Sequence, residues 1–134
     1  MSTTKPHLRL TLEGAQKILA AAVAKAHEMK LPQCIAIVDG GCNLLAFYRM
    51  DGAKILSIES SIRKARSAAN SGGATGHIPD ELATRLAHAT SGQLVNLKGG
   101  LPIVVDGIVV GGIGVGSQTG EQDLEVAEAG LAAI

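Results

Sequence analysis

Aromatic side chains are nearly missing from this chain: one Phe, one Tyr and no Trp occur in 134 residues. Recognition of single-stranded nucleic acid by base stacking needs several such rings and is excluded. An excess of charge of one sign is missing too. Twelve Lys and Arg balance twelve Asp and Glu, and no run of like charge exceeds two residues, so there is no electrostatic footprint for a phosphate backbone. No stretch approaches the roughly 18 to 20 apolar residues that span a bilayer, and the opening Met1-Ser2-Thr3-Thr4-Lys5-Pro6 lacks an apolar secretory region. The expectation is a cytoplasmic protein with neither nucleic-acid nor membrane partners.

Cysteine is scarce. Cys34 lies near one end of an expected strand and Cys42 in the turn beyond its other end, ~20 Å apart at ~3.3 Å per residue, too far to be bridged, so two free thiols are expected. His7, His27, His77 and His88 are scattered, with no two at metal-ligand spacing, which argues against a mononuclear zinc site. Neither a nucleophile-elbow serine nor a cysteine at a helix start is present.

What remains is apolar and glycine-rich: 46% of residues are hydrophobic, 18% are charged and 17 are Gly, enough for one core and one domain over residues 1–134. Leu12, Ala15, Ile18, Leu19, Ala22, Val23, Ala26 and Met29 follow helical spacing over 11–29, with Thr11 as N-cap and Leu31-Pro32 as stop. Two short apolar runs, 33–38 and 43–49, flank Asp39-Gly40-Gly41-Cys42 and read as a hairpin. Ile55, Ile58, Ile62, Ala65 and Ala69 form the stripe of a second helix, Pro79-Asp80 opens a weaker third, and Asp106-Gly107 joins strands 101–105 and 108–115. In the last helix Thr119 and Gln122 have capping-box spacing, and Glu121 and Asp123 complement the helix dipole. Hairpins predict an α+β sandwich: a central antiparallel sheet of about five strands flanked by helices.

Candidate chemistry gathers at strand ends and helix starts. Gly112, Gly114 and Gly116 share one face of a strand, so either another backbone or a flat ligand approaches there. Gly99-Gly100 forms a flexible corner whose amides suit a carboxylate, or a simple turn. Asp39 suits hairpin-turn chemistry and Asp51 an N-cap at the helix beginning near Ala53. Lys64, beside Ser57, Ser60 and Ser67 and about opposite Ile58 and Ile62, suits a solvated face or a subunit contact; meeting a carboxylate, it could move a proton instead. His27 lies off its helix's apolar stripe.

Together, Leu10-Thr11-Leu12-Glu13, Val38-Asp39, Met50-Asp51-Gly52-Ala53, Lys64-Ala65, Gly99-Gly100-Leu101-Pro102-Ile103 and Glu121-Gln122-Asp123 resemble the GlcG/HbpS family, which includes the C-terminal domain of PduO-type proteins. The resemblance spans nearly the whole chain. It implies a profilin-like sandwich, homo-oligomers (dimers or octamers), and haem or a related tetrapyrrole bound by some members. The chain departs from the pattern at Val115-Gly116-Ser117-Gln118, where a Ser-Gly-Gly-like run is common, and at Ser67, where Thr is common.

Three functions follow as expectations. The first is a small ligand-binding protein with haem or another tetrapyrrole at a subunit interface, His27 and His77 being the candidate iron ligands. The second is a cofactor-independent isomerase, tautomerase or hydratase for a small 2-oxo or 2-hydroxy carboxylate. There Asp39, Asp51 or Lys64 would move protons, and Gly99, Gly100 and the helix start at Glu121 would hold the acid. The third is a non-catalytic assembly subunit of a catabolic pathway. Arg49, Thr75, Gly114 and Gly116 complete the candidate ligand-binding set.

Overall fold

Thr11 begins the first helix as its spacing predicts: its Oγ1 accepts a hydrogen bond from Gly14 N at 3.0 Å, and α1 runs Leu12–Glu28 with Ala15, Ile18, Ala22 and Ala26 buried. A computed structural model describes residues 2–134. Lys30, at φ 57°, ends α1; its amide donates to His27 O and that of Leu31 to Ala26 O, both at 3.0 Å, the double bond of a Schellman ending.

Strands β1 (Cys34–Asp39) and β2 (Leu44–Arg49) form the first hairpin. Asp39 Oδ1 accepts from Gly41 N and Asn43 N, both at 2.9 Å, so this carboxylate serves the turn. Helix α2 (Leu56–Ser71) begins later than its stripe predicts. Asp51 is not its N-cap, because Asp51-Gly52 is used in a tight turn closed by Ala53 N to Met50 O at 3.0 Å, and Ile55 precedes the helix without a side-chain cap. Helix α3 (Asp80–Ala89) has no buried residue. Strands β3 (Gly100–Val105) and β4 (Ile108–Gly116) form the second hairpin, and α4 (Gly120–Leu131) closes the chain with the expected capping box.

The sheet is antiparallel throughout, in the order β2-β1-β4-β3. Among the described residues it has four strands, close to the count of about five that the patterning predicts. The segment before β3 satisfies its backbone from side chains instead of a ladder: Ser67 Oγ donates to Gln93 O and accepts from Val95 N, and the Asn96 amide brackets Ile78. Helices α1 and α4 cover one face over Ile18, Ile35, Ile37, Ile113, Val115 and Val126. Helix α2 covers the other.

The glycine stripe of β4 is resolved by that second face. A Cβ at Gly112 or Gly114 would overlap the backbone of Ala65 or of Ser61, and one at Gly116 would lie 3.0 Å from Ser60 Oγ and 3.3 Å from Ser57 Cβ. Backbone packs on backbone, so the strand's lack of side chains admits α2. Gly114 therefore presents no face to a ligand. No helix is long and apolar enough to cross a membrane among the described residues.

Candidate functional site

Close approach of α2 to β4 carries Lys64 inward. Lys64 is 5% exposed, not on a solvated face as its position relative to Ile58 and Ile62 suggests. Its Nζ donates to Val115 O at 2.8 Å and to Asp123 Oδ2, on the first turn of α4, at 3.0 Å. Asp123 is 2% exposed, and its Oδ1 accepts from Gln118 N at 3.1 Å. Buried Gln33, with its amide nitrogen turned inward, donates to the same Oδ1 at 3.0 Å. A charge pair removed from water is tolerable when its remaining lone pairs and protons are occupied in this way.

Gly99 and Gly100 close over the pair. At Gly99, φ is +124°, and a Cβ would stand 2.7 Å from Val115 O and 3.1 Å from Lys64 Nζ; at Gly100 it would stand 2.6 Å from Lys64 O. This is not the exposed corner the Gly-Gly pair suggests. Gly100 N donates to Thr75 Oγ1 at 2.9 Å, and Thr75 Oγ1 donates to Leu97 O. Thr75 is a buried brace of the corner, at 6% exposure.

Outside the pair lies a cleft of about 250 Å³ between the starts of α2 and α4 and the Leu97-Lys98 segment. Lys54, Ser57, Ser60, Lys98 and Ser117 line it. Lys98 Nζ meets Glu121 Oε1 at 2.5 Å across its rim. Ser117, at φ 113°, holds a conformation L-residues rarely adopt, and its Oγ accepts from Lys54 N at 2.7 Å.

A second cleft, of about 350 Å³, lies between the end of α1 and the end of β2. His27, Lys30, Tyr48, Arg49, Met50 and Asp51 line it, over the apolar side chains of Leu31 and Pro32. The Schellman turn at Lys30 and the antiparallel Cys34↔Arg49 register bring these segments together. Thr75 and His77 border a third cleft, of about 210 Å³, and Asp39 a fourth.

The candidates thus divide. His27, Arg49 and Asp51 come together; Lys64, Gly99 and Glu121 come together elsewhere, with Gly116 behind Ser57 and Ser60. Asp39, Asp51 and Lys64 line three separate clefts and make no common proton-transfer set. Sequence reasoning missed Gln33, Lys54, Lys98 and the pairing role of Asp123. Only the nearness of Ser57 and Ser60 to Lys64 signalled the lysine-serine cleft. Both thiols are free, and burial pushes each up, Arg49 pulling Cys34 and Arg66 pulling Cys42 partly back.

Residues 10–132 match the family model described as "Haem degrading protein HbpS-like". The chain belongs to the HbpS-like family. It is 34% identical to an uncharacterized 15.0 kDa protein from the dhaT-dhaS intergenic region of Citrobacter freundii, covering 98% of this chain and 96% of that one. The fold of a double mutant of HbpS from Streptomyces reticuli superposes with a TM-score of 0.83 at 36% identity, over 98% of this chain and 90% of that one. A PduOC complex with haem superposes with a TM-score of 0.87 at 29% identity, over 95% and 96% of the two chains. The resemblance read from the motifs is confirmed, as is the α+β antiparallel fold.

Proposed function

We propose that this HbpS-like chain binds haem or a related tetrapyrrole in the cleft between the end of α1 and the end of β2, at a contact between subunits. The observation that carries this reading is the side-chain set of that cleft. His27, Tyr48 and Met50 are the side-chain types that ligate haem iron. Lys30 and Arg49 supply cations for the carboxylates at a macrocycle's edge, and Leu31 and Pro32 supply apolar surface. The set fits the group chemically. His27 stands out as the ligand because its ring is exposed and makes no hydrogen bond among the described residues.

The cleft's volume of about 350 Å³ is at the low end of the ~300 to 1,000 Å³ of small-molecule sites. One subunit would cover part of a macrocycle and a second copy the rest, which supports a dimer or larger homo-oligomer. The PduOC–haem complex supports the ligand class. Two unpaired thiols suit a reducing cytoplasm.

When bound, an iron porphyrin supplies redox or oxygen chemistry that these side chains lack. The chain's own contribution would be to hold and orient: His27 would offer an imidazole nitrogen, Lys30 and Arg49 would take the acidic edge, and Tyr48 and Met50 would line the cleft beside it. The test is haemin titration of the ligand-free protein, followed by absorption from 350 to 700 nm. A saturable, sharpened Soret band is expected; a band identical to that of free haemin overturns the reading.

A further inference from the structure

We propose a second ligand site, independent of the tetrapyrrole cleft: the cleft beside Lys64 and Asp123 binds a short organic acid that carries a hydroxyl or carbonyl oxygen next to its carboxylate. Charge points to an anion. Lys54, Lys64 and Lys98 face this space against Asp123 alone among its lining residues, and Lys54 has no ion pair among the described residues. The N-terminus of α4, with Gly120 in the lining, adds its unpaired amides and dipole. Even with Glu121 bound to Lys98, the balance stays positive.

An unpartnered group points to a ligand rather than to a charged surface. Ser57 is fully buried, lines the cleft, and its Oγ has no hydrogen-bond partner among the described residues. A buried hydroxyl is normally satisfied, and an orphan beside a cleft is open to a water, an ion or a ligand oxygen. Ser60 adds a second hydroxyl to the same wall, and Ser117, held at φ 113°, fixes the adjacent backbone. Such strain persists only where the surroundings over-determine it, here through Lys54 N on Ser117 Oγ.

Size and wall chemistry narrow the class. At about 250 Å³ the cleft is smaller than the ~300 to 1,000 Å³ that holds drug-sized ligands. Leu56 and Leu97 give it exposed apolar walls, suited to a few carbon atoms. Carboxylate toward Lys54 and the α4 amides, oxygen toward Ser57 and carbon toward Leu56 match the charge, the hydroxyl and the apolar wall of the cleft.

The test is a titration of the 15N-labelled, ligand-free chain with lactate to about 20 mM, a range that reaches millimolar dissociation constants. Acetate and inorganic phosphate are titrated in parallel. Saturable shifts are expected at the amides of Lys54, Ser57, Gln118 and Gly120 and not at His27 or Tyr48. Lactate is expected to bind at least about fivefold more tightly than either control, and Ser57→Ala or Lys54→Ala to weaken it about fivefold, as loss of one hydrogen bond does. Absence of saturable shifts in the unmodified chain overturns the proposal, whatever the variants do. So does acetate or phosphate binding as tightly as lactate, or affinity unchanged in a folded Ser57→Ala chain.

Discussion

Lys64 and Asp123, 59 positions apart in the chain, meet at 3.0 Å with side chains 6% and 2% exposed. They join the middle of α2 to the first turn of α4 across the end of β4, and Gly99 closes over them because no Cβ fits there. The pair is a structural clamp and also the floor of the lysine-serine cleft.

Removing one partner leaves the other buried and alone. Asp123→Ala is expected to cost about 3 to 5 kcal/mol in urea unfolding. Lys64→Met with Asp123→Leu should recover only part of that loss, since an apolar pair avoids desolvation of the charges but leaves Val115 O and Gln118 N without their partners. A single variant within about 0.5 kcal/mol of the parent, the usual range for surface changes, would show that the pair is not a clamp.

The glycines of β4 make a sharper contrast. A Cβ at Gly114 would enter the backbone of Ser61 and Ala65, whereas one at Gly73 meets nothing within 4 Å. Gly114→Ala should destabilise by about 3 kcal/mol or more, an overpacking cost with backbone as the obstacle. Gly73→Ala should stay within about 0.5 kcal/mol. Thermal unfolding of the two variants checks the order, and equal midpoints would contradict the close packing of α2 on β4.

For the thiols the sign is fixed by burial. Desolvation disfavours the thiolate at Cys34 and Cys42, against the partial pull of Arg49 and Arg66, with Asp39 adding to the rise at Cys42. Each raised group contributes stability that is present below the ordinary thiol value and is lost as pH rises through its higher folded value. Alkylation by iodoacetamide at pH 8 to 9 should therefore be slower in the folded chain than in urea. Equal rates would contradict it.

Local patterns carry the fold a long way. Thr11, the Asp39 turn, Asp106-Gly107 and the Thr119-Gln122 box each act within a few residues, and each stands where its spacing predicts. The start of α2 departs from its stripe because Asp51-Gly52 satisfies a turn before the helix begins, and the segment 93–96 is held by Ser67 and by the Asn96 bonds to Ile78, partners distant in sequence that no local pattern shows. The glycine parity is visible in the sequence, yet whether a helix or a ligand fills it depends on α2, which a strand pattern does not contain. Lys64 is the clearest case: its neighbours describe an exposed face, while its partner stands on another helix. His27, Arg49 and Asp51 are each legible as candidates, but only the register of β1 with β2 and the turn at Lys30 place them in one cleft.

The decisive measurement for the tetrapyrrole reading is the haemin titration carried out side by side on the parent chain and on His27→Ala, monitored at the Soret band. Parent protein is expected to give a sharp, saturable band at one haem per subunit or per dimer. His27→Ala, altered at an exposed helix position with no hydrogen bond to lose, should stay folded while the band broadens toward free haemin and the affinity falls about tenfold or more, the equivalent of about 1.4 kcal/mol. Identical saturable spectra from the two proteins would contradict the role of His27 and the placement of the site in this cleft. No sharpened band from the parent would contradict haem binding itself.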